Sequence, residues 1–364
     1  MSRTAKVLIL VFCFTLLLSS ISYGAIKLDR GALSTKYGVK FQDFRICLLS
    51  KTGDLLVGME KITDVNLIKQ GKVYKIYIFN LDINENKILN SKIAYCDFDR
   101  FEQVVLSDDG KNLLMIGNTG TKISLLNIST MKVSTIFEHV KGKPGFRCEP
   151  IGLYYEGKFY VKGYAYNADQ YSEGQYIARV DITKKEKSLF ENTVNIDEVI
   201  KDLGGDITTF YLISPYRGYF AIENEKKDGE HLVAHHDGKV IKIDSGLSIT
   251  DLVGSNNRVI YNVVRKVNTK PETILMDVIT KKKWVLGNYV GYSSISRDDG
   301  KVVIVTNFDS GTKVRMSYYS ARDKDGYKTK AITDLQHVVP GHIILSADGK
   351  VFAYLSRDLI IGKL

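Results

Sequence analysis

The chain of 364 residues carries none of the short motifs that mark a hydrolase or a metalloenzyme. It has no Gly-x-Ser-x-Gly elbow, no His-Glu-x-x-His pair and no glycine-rich phosphate loop. Cysteine is scarce, with 4 in all and no Cys-x-x-Cys pair, which argues against a structural zinc site. His231, His235 and His236 are close in sequence, but only His231 and His235 would share a strand face, too few ligands for a metal. No metal and no cofactor are therefore expected. Beyond the N-terminus no apolar run is long enough for a membrane span. The net charge of +10 is dispersed among acids rather than gathered into an Arg/Lys stripe with aromatics, so no nucleic-acid partner is expected. The clusters at Lys184, Lys185 and Lys187 and at Lys281, Lys282 and Lys283 read as solvated turns.

The N-terminus is different. Arg3 and Lys6 make a basic end, Val7 to Leu18 is apolar, and Ser22-Tyr23-Gly24 places small residues before a cut ahead of Ala25. That layout predicts a signal peptide over 1–24, with an uncleaved anchor as the alternative. The protein is then exported, periplasmic or secreted, with one domain over 25–364. Without Arg3 and Lys6 its charge is about +8. Cys47, Cys96 and Cys148 remain, and an odd number leaves at least one thiol outside any bond within the chain. Cys96 and Cys148 each precede the first strand of a repeat, so a disulfide is expected to join them if one forms. Cys47 begins a buried strand and is expected to be free.

The repeat is the main signal. Leu106-Ser107-Asp108-Asp109-Gly110-Lys111, Ile295-Ser296-Arg297-Asp298-Asp299-Gly300-Lys301 and Leu345-Ser346-Ala347-Asp348-Gly349-Lys350 each lie between two apolar, β-branched runs. Each reads as strand, tight Asp-Gly turn, strand. Related turns lie at Gly53 and Gly157, and degenerate ones at Gly218 and Asn257. The mean spacing of about 49 residues is close to the ~40–50 of a four-stranded propeller blade. A second alternating strand ends in Asp or Asn before a polar turn, as at Asp82, Asn127, Asp181 and Asp277. The expected fold is all-β: a seven-bladed β-propeller of four-stranded antiparallel blades, with six or eight blades left open. Little sequence follows the last turn, so a strand from residues 26–40 is expected to complete the last blade and close the ring. A helix over Ile196 to Leu203, capped by Asn195 and stopped by Gly204, is expected between the third and fourth blades.

The Ser-x-Asp-Gly-Lys turn and the later strand ending in Asp-Ile-Thr resemble the TolB-type, WD-repeat-like propellers of exported bacterial proteins. The resemblance spans nearly all of residues 25–364. It departs from the family's usual Ser-Pro-Asp-Gly turn, since only Ser214-Pro215 keeps the proline, and the small α/β domain of TolB is missing. The resemblance implies the fold and leaves the function open.

In such a blade the short a–b and c–d turns share one face, and the b–c loops and blade connections share the other, where function concentrates. There the third blade is rich in tyrosine. Tyr164, Tyr166 and Tyr171, with Asp169, are expected in or beside a loop over 165–174 and form the candidate binding patch; ordinary loop packing is the competing account. His337 and His342 flank the last blade connection and are candidates at the central channel. The expected function is non-catalytic: an exported monomer that binds a protein, peptide or glycan across the long-loop face. The alternative is an enzyme, a lyase, lactonase or glycan-cleaving one, with its site at the channel mouth.

Overall fold

The computed structural model describes residues 25–139, 145–167, 172–184, 189–201, 205–224, 226–236, 239–287, 290–308, 313–320, 328–336, 342–356 and 358–364. The expected signal peptide lies outside them. Strand β1 (Ala25–Leu28) and helix α1 (Arg30–Tyr37) come first. The first sheet is β2 (Phe44–Leu49), β3 (Leu55–Lys61), β4 (Tyr74–Asp82) and β5 (Lys87–Cys96), with helix α2 (Val65–Lys69) between β3 and β4. The second is β6 (Phe101–Leu106), β7 (Asn112–Gly117), β8 (Lys122–Asn127) and β9 (Lys132–Glu138). The third is β10 (Gly145–Tyr155), β11 (Lys158–Tyr166), β12 (Ser172–Val180) and β13 (Phe190–Asn195), followed by helix α3 (Ile196–Lys201). The fourth is β14 (Ile207–Ser214), β15 (Arg217–Glu223), β16 (Glu230–His236) and β17 (Lys239–Gly246). The fifth is β18 (Ser248–Gly254), β19 (Arg258–Val264), β20 (Glu272–Asp277) and β21 (Lys283–Gly287). The sixth is β22 (Val290–Ile295), β23 (Val302–Phe308), β24 (Lys313–Ser320) and β25 (Lys328–Gln336). The chain ends with β26 (His342–Leu345), β27 (Val351–Leu355) and β28 (Leu359–Lys363).

These strands pair into seven four-stranded antiparallel sheets, six in plain chain order and one ordered β1-β28-β27-β26. The first strand thus completes the last sheet, in the register Ala25↔Gly362 to Leu28↔Leu359. Inner strands β2, β6, β10, β14, β18, β22 and β26 each touch the next, and β26 touches β2. The result is a β-propeller. Its core lies between sheets: one apolar cluster joins Ile26, Leu359 and Ile361 to Phe44, Leu56 and Phe79, and another joins Ile76 and Ile78 to Leu113 and Met115. Second strands such as Val351–Leu355 are buried on both sides and read as continuous apolar runs. The outer strands β5 and β9 are mostly exposed. Helix α1 was not legible in the sequence; Asp29 caps it by accepting from Ala32 N, and Gly38 ends it with a positive φ. Among the described residues no helix is long and apolar enough to cross a membrane.

The repeated turn has a shared mechanism. In the second sheet Ser107 Oγ donates to Asp109 and accepts from Asn112 N, while Asp109 accepts from Lys111 N. Ser296 with Asp299, and Ser346 with Asp348, repeat the arrangement. The serine is the buried member: Ser50, Ser107, Ser214, Ser255, Ser296 and Ser346 are all buried. Neighbouring turns also touch. Asp298 N donates to Ala347 O and Asp348 N to Lys51 O, and a Cβ on Gly349 would sit 2.8 Å from Ser296 Cβ.

The expected Cys96–Cys148 disulfide is not present; both thiols are free and buried. Cys96 ends the outer strand β5 of the first sheet, whereas Cys148 is inside the inner strand β10 of the third, so a whole sheet separates them. They pack in different apolar clusters. Burial pushes the Cys96 thiol up to about 12, and raises Cys148 as well. Cys47 is free too.

An ion-pair network joins the fourth and fifth sheets. Asp244, buried on β17, accepts from both terminal nitrogens of Arg265 at 2.9 and 2.7 Å and from Lys283 Nζ at 3.1 Å, and also from the Tyr261 hydroxyl. Burial alone would raise its carboxyl. The hydrogen bonds from Arg265, Tyr261, the Ser245 backbone and Lys283 outweigh that and hold it well below the usual range. A carboxyl depressed in the folded state adds stability that is complete above its unfolded pKa of about 3.9 and is lost as pH falls through the folded value. Asp244→Asn should therefore cost about 1–3 kcal/mol at pH 7. Urea unfolding should show the gap between variant and native protein narrowing at acid pH. A gap of constant size would refute the linkage.

Candidate functional site

A cleft of about 380 Å³ opens between the third and fourth sheets on the connection face. Its third-sheet wall carries Glu149, Lys162, Tyr164 and Gln175; its fourth-sheet wall is the start of β14 with Asp206, Thr208 and Phe210. The register of β10 against β11 slips between Cys148 and Gly152. That bulge takes Glu149 out of the ladder, the usual way in which a bulge re-aims a side chain. Its carboxylate accepts from the ammonium of Lys162, whose side chain is only 5% exposed. The same ammonium lies 4.3 Å from the Phe210 ring centre and 5.7 Å from that of Tyr164. Burying a lysine is costly, and here one carboxylate and two aromatic faces offset the lost water. Burial, then the hydrogen bond to Glu149 and its charge, push the Tyr164 hydroxyl up to about 12. The cluster thus keeps its phenol protonated.

Around this floor, Tyr166 lies with its ring centre 6.3 Å from Tyr164 and 6.5 Å from His139. Asp197 of α3 accepts from Gln175 N at 2.9 Å, which ties the helix to β12. Asp206 is exposed at the rim. Helix α3 begins where expected, with Asn195 Oδ1 accepting from Asp197 N; residues 202–204 lie outside the described residues.

Of the residues singled out from sequence, Tyr164 and Tyr166 come together here, beside the loop rather than in it. Both belong to β11, which pairs with β12 as far as Tyr166↔Ser172, so the connection spans only 167–171. Tyr171, Asp169 and His337 lie outside the described residues. His342 is at the start of β26, far from the cleft in the ring order. Its ring is held below its ordinary pKa, first by burial and then by the charge of Arg45 on the neighbouring inner strand β2.

Sequence reasoning missed Lys162 and Glu149. The signal was there: Lys162 follows Phe159-Tyr160-Val161 directly, in a strand type that is mostly apolar in this chain. Glu60 stands in β3 in the same way. It is 1% exposed and accepts from Lys75, the Tyr77 hydroxyl and Lys40 N.

The channel is walled by the seven inner strands. Toward the a–b turns it holds a cavity of about 240 Å³ lined by residues such as Leu48, Leu106, Leu153, Tyr211 and Ile295. Lys51, Asp108 and Arg297 stand at its mouth. Arg297 lies 4.0 Å from Asp108, and Lys51 lies 3.6 Å from Asp298. Among the described residues no group of three or more His, Cys, Asp or Glu is arranged to hold a metal.

No family model matches the chain, and no curated protein matches it. Solved structures do. An oligogalacturonate lyase from Vibrio parahaemolyticus superposes with a TM-score of 0.56 at 12% identity, over 88% of this chain and 91% of its own. The β-propeller domain of the Trilobed protease from Pyrococcus furiosus gives 0.53 at 12%, over 89% and 91%. An acylaminoacyl peptidase from Pyrococcus horikoshii gives 0.51 at 10%, over 86% of this chain; the chain spans about half, 49%, of that protein. At these identities the likeness is one of fold. The chain is a β-propeller of four-stranded antiparallel blades.

Proposed function

We propose that this protein is an exported, non-catalytic propeller that binds a protein, peptide or glycan across its connection face, with the cleft between the third and fourth sheets as the point of attachment. The observation that carries this reading is the Lys162–Glu149–Tyr164 cluster at the cleft floor. A fixed polar floor with aromatic faces orients a polar ligand, and exposed Asp206 and half-buried Gln175 supply further hydrogen-bonding groups at the rim. Tyrosine and phenylalanine are also the residue types that anchor partners at low cost in conformational entropy.

The test is a paired screen of the native protein on peptide and glycan arrays, with hits measured by calorimetry. Asp206→Asn and Tyr164→Phe should each weaken a true ligand by roughly tenfold, about 1.4 kcal/mol, with little change in melting temperature. A ligand that binds both variants as tightly as the native protein would remove the cleft from the reading. The enzyme alternative draws on His342, whose pKa is held below its ordinary value by burial and by Arg45, as a candidate for proton abstraction. It requires turnover of a glycan or lactone that His342→Ala abolishes.

A further inference from the structure

We propose that the turn-face end of the central channel is a binding site for a small organic monocarboxylate with an apolar or aromatic body. This inference is independent of the cleft. The cavity of about 240 Å³ is larger than the roughly 150 Å³ that accommodates benzene in an engineered protein core. Leu48, Leu106, Leu153, Ile295 and Tyr211 make one part of its lining apolar, and Ser294 with the strand backbones makes the rest polar, so it suits a compact body that sets an apolar or aromatic side beside a hydrogen-bonding one. The edges of the inner strands that face the channel have no strand beside them, and their backbone groups can bond a hydroxyl or carbonyl on that body.

The head group is set by the mouth. Arg297 and Lys51 are the basic side chains of the lining, on turns of the sixth and first sheets. Asp108, across the opening on the second sheet, meets Arg297 at 4.0 Å, and both side chains are more than a third exposed. So loose and hydrated a pair contributes only about 0–1 kcal/mol. A ligand carboxylate can replace Asp108 and take the guanidinium as a bidentate fork, a stronger arrangement. An ammonium ligand would gain less, since Asp108 and Asp298 already face Arg297 and Lys51, which would repel it.

The probe is 4-fluorophenylacetate, followed by fluorine NMR on the intact protein, with 4-fluorophenethylamine and 4-fluorotoluene as charge controls. The acid should bind with a dissociation constant at or below about 1 mM. Arg297→Gln should weaken it about tenfold, and Asp108→Asn, which removes the competing carboxylate, should tighten it severalfold. A gain in affinity cannot come from misfolding, so the Asp108 variant guards the Arg297 result. Tyr164→Phe, in the cleft, should change nothing. Equal binding of the amine or the toluene, unchanged binding by Arg297→Gln, weaker binding by Asp108→Asn, or no binding of the acid at about 10 mM would each overturn the proposal.

Discussion

Deleting residues 25–40 should leave a protein with no cooperative unfolding transition that elutes as aggregates. This segment supplies three buried side chains, Ile26, Leu33 and Val39, at 5%, 0% and 0% exposure. Their burial is worth roughly 5–9 kcal/mol together, comparable with the whole stability of an ordinary domain, about 5–15. The segment also supplies two hydrogen-bonding groups to a buried site: Gly38 O accepts from the Tyr77 hydroxyl, and Lys40 N donates to Glu60. Removing them takes a donor from an acid that is 1% exposed. The edge of β28 would lie open beside them, a template for pairing between molecules. Size-exclusion chromatography with light scattering, and calorimetry, read both effects. A monomer with an unchanged melting temperature would show that β1 does not hold the ring.

The second large effect is expected at the cleft floor. Lys162→Met or Glu149→Leu alone should cost about 3–5 kcal/mol, because each leaves its partner's charge in a confined space without its counter-ion. The double variant should recover most of that loss, since apolar replacement of a whole buried pair is often neutral. Glu149 is 23% exposed against 5% for Lys162, so the lysine variant, which leaves the more hydrated charge behind, should be the milder of the two. Urea unfolding of the four proteins gives the coupling energy directly. Additive losses would show that the pair is held by its surroundings and not by each other. If the cleft is the attachment point, ligand binding should fall in the double variant although its stability returns.

The sheets were legible because each one repeats the same local chemistry. Ser107, Ser296 and Ser346 stand at equivalent turns and close them with the same hydrogen bonds, so a short motif reported both the turn and its neighbours. The Asp or Asn that ends the third strand was legible for a similar reason: Asn127 and Asp277 accept from backbone two or three residues on. The candidate site was less legible. Glu149 reaches Lys162 only because β10 bulges between Cys148 and Gly152, and no local pattern announces a bulge. Phe210 arrives from another sheet altogether. The cysteines mislead because position before a repeat is not position in space: Cys96 closes an outer strand and Cys148 sits inside an inner one.

The contacts between successive turns have a mechanical consequence. Gly53 backs onto Val351, Gly300 onto Ser255 and Gly349 onto Ser296, each too close to admit a side chain. Arg258 reaches Gly300 O in the same belt. An open array of repeats can fray from its terminal unit, because that unit has one neighbour and not two. In this ring every inner strand touches one on either hand, so no blade is a weak end from which melting can start. Local opening must break two interfaces at once, which drives the molecule toward all-or-none behaviour despite its modular sequence.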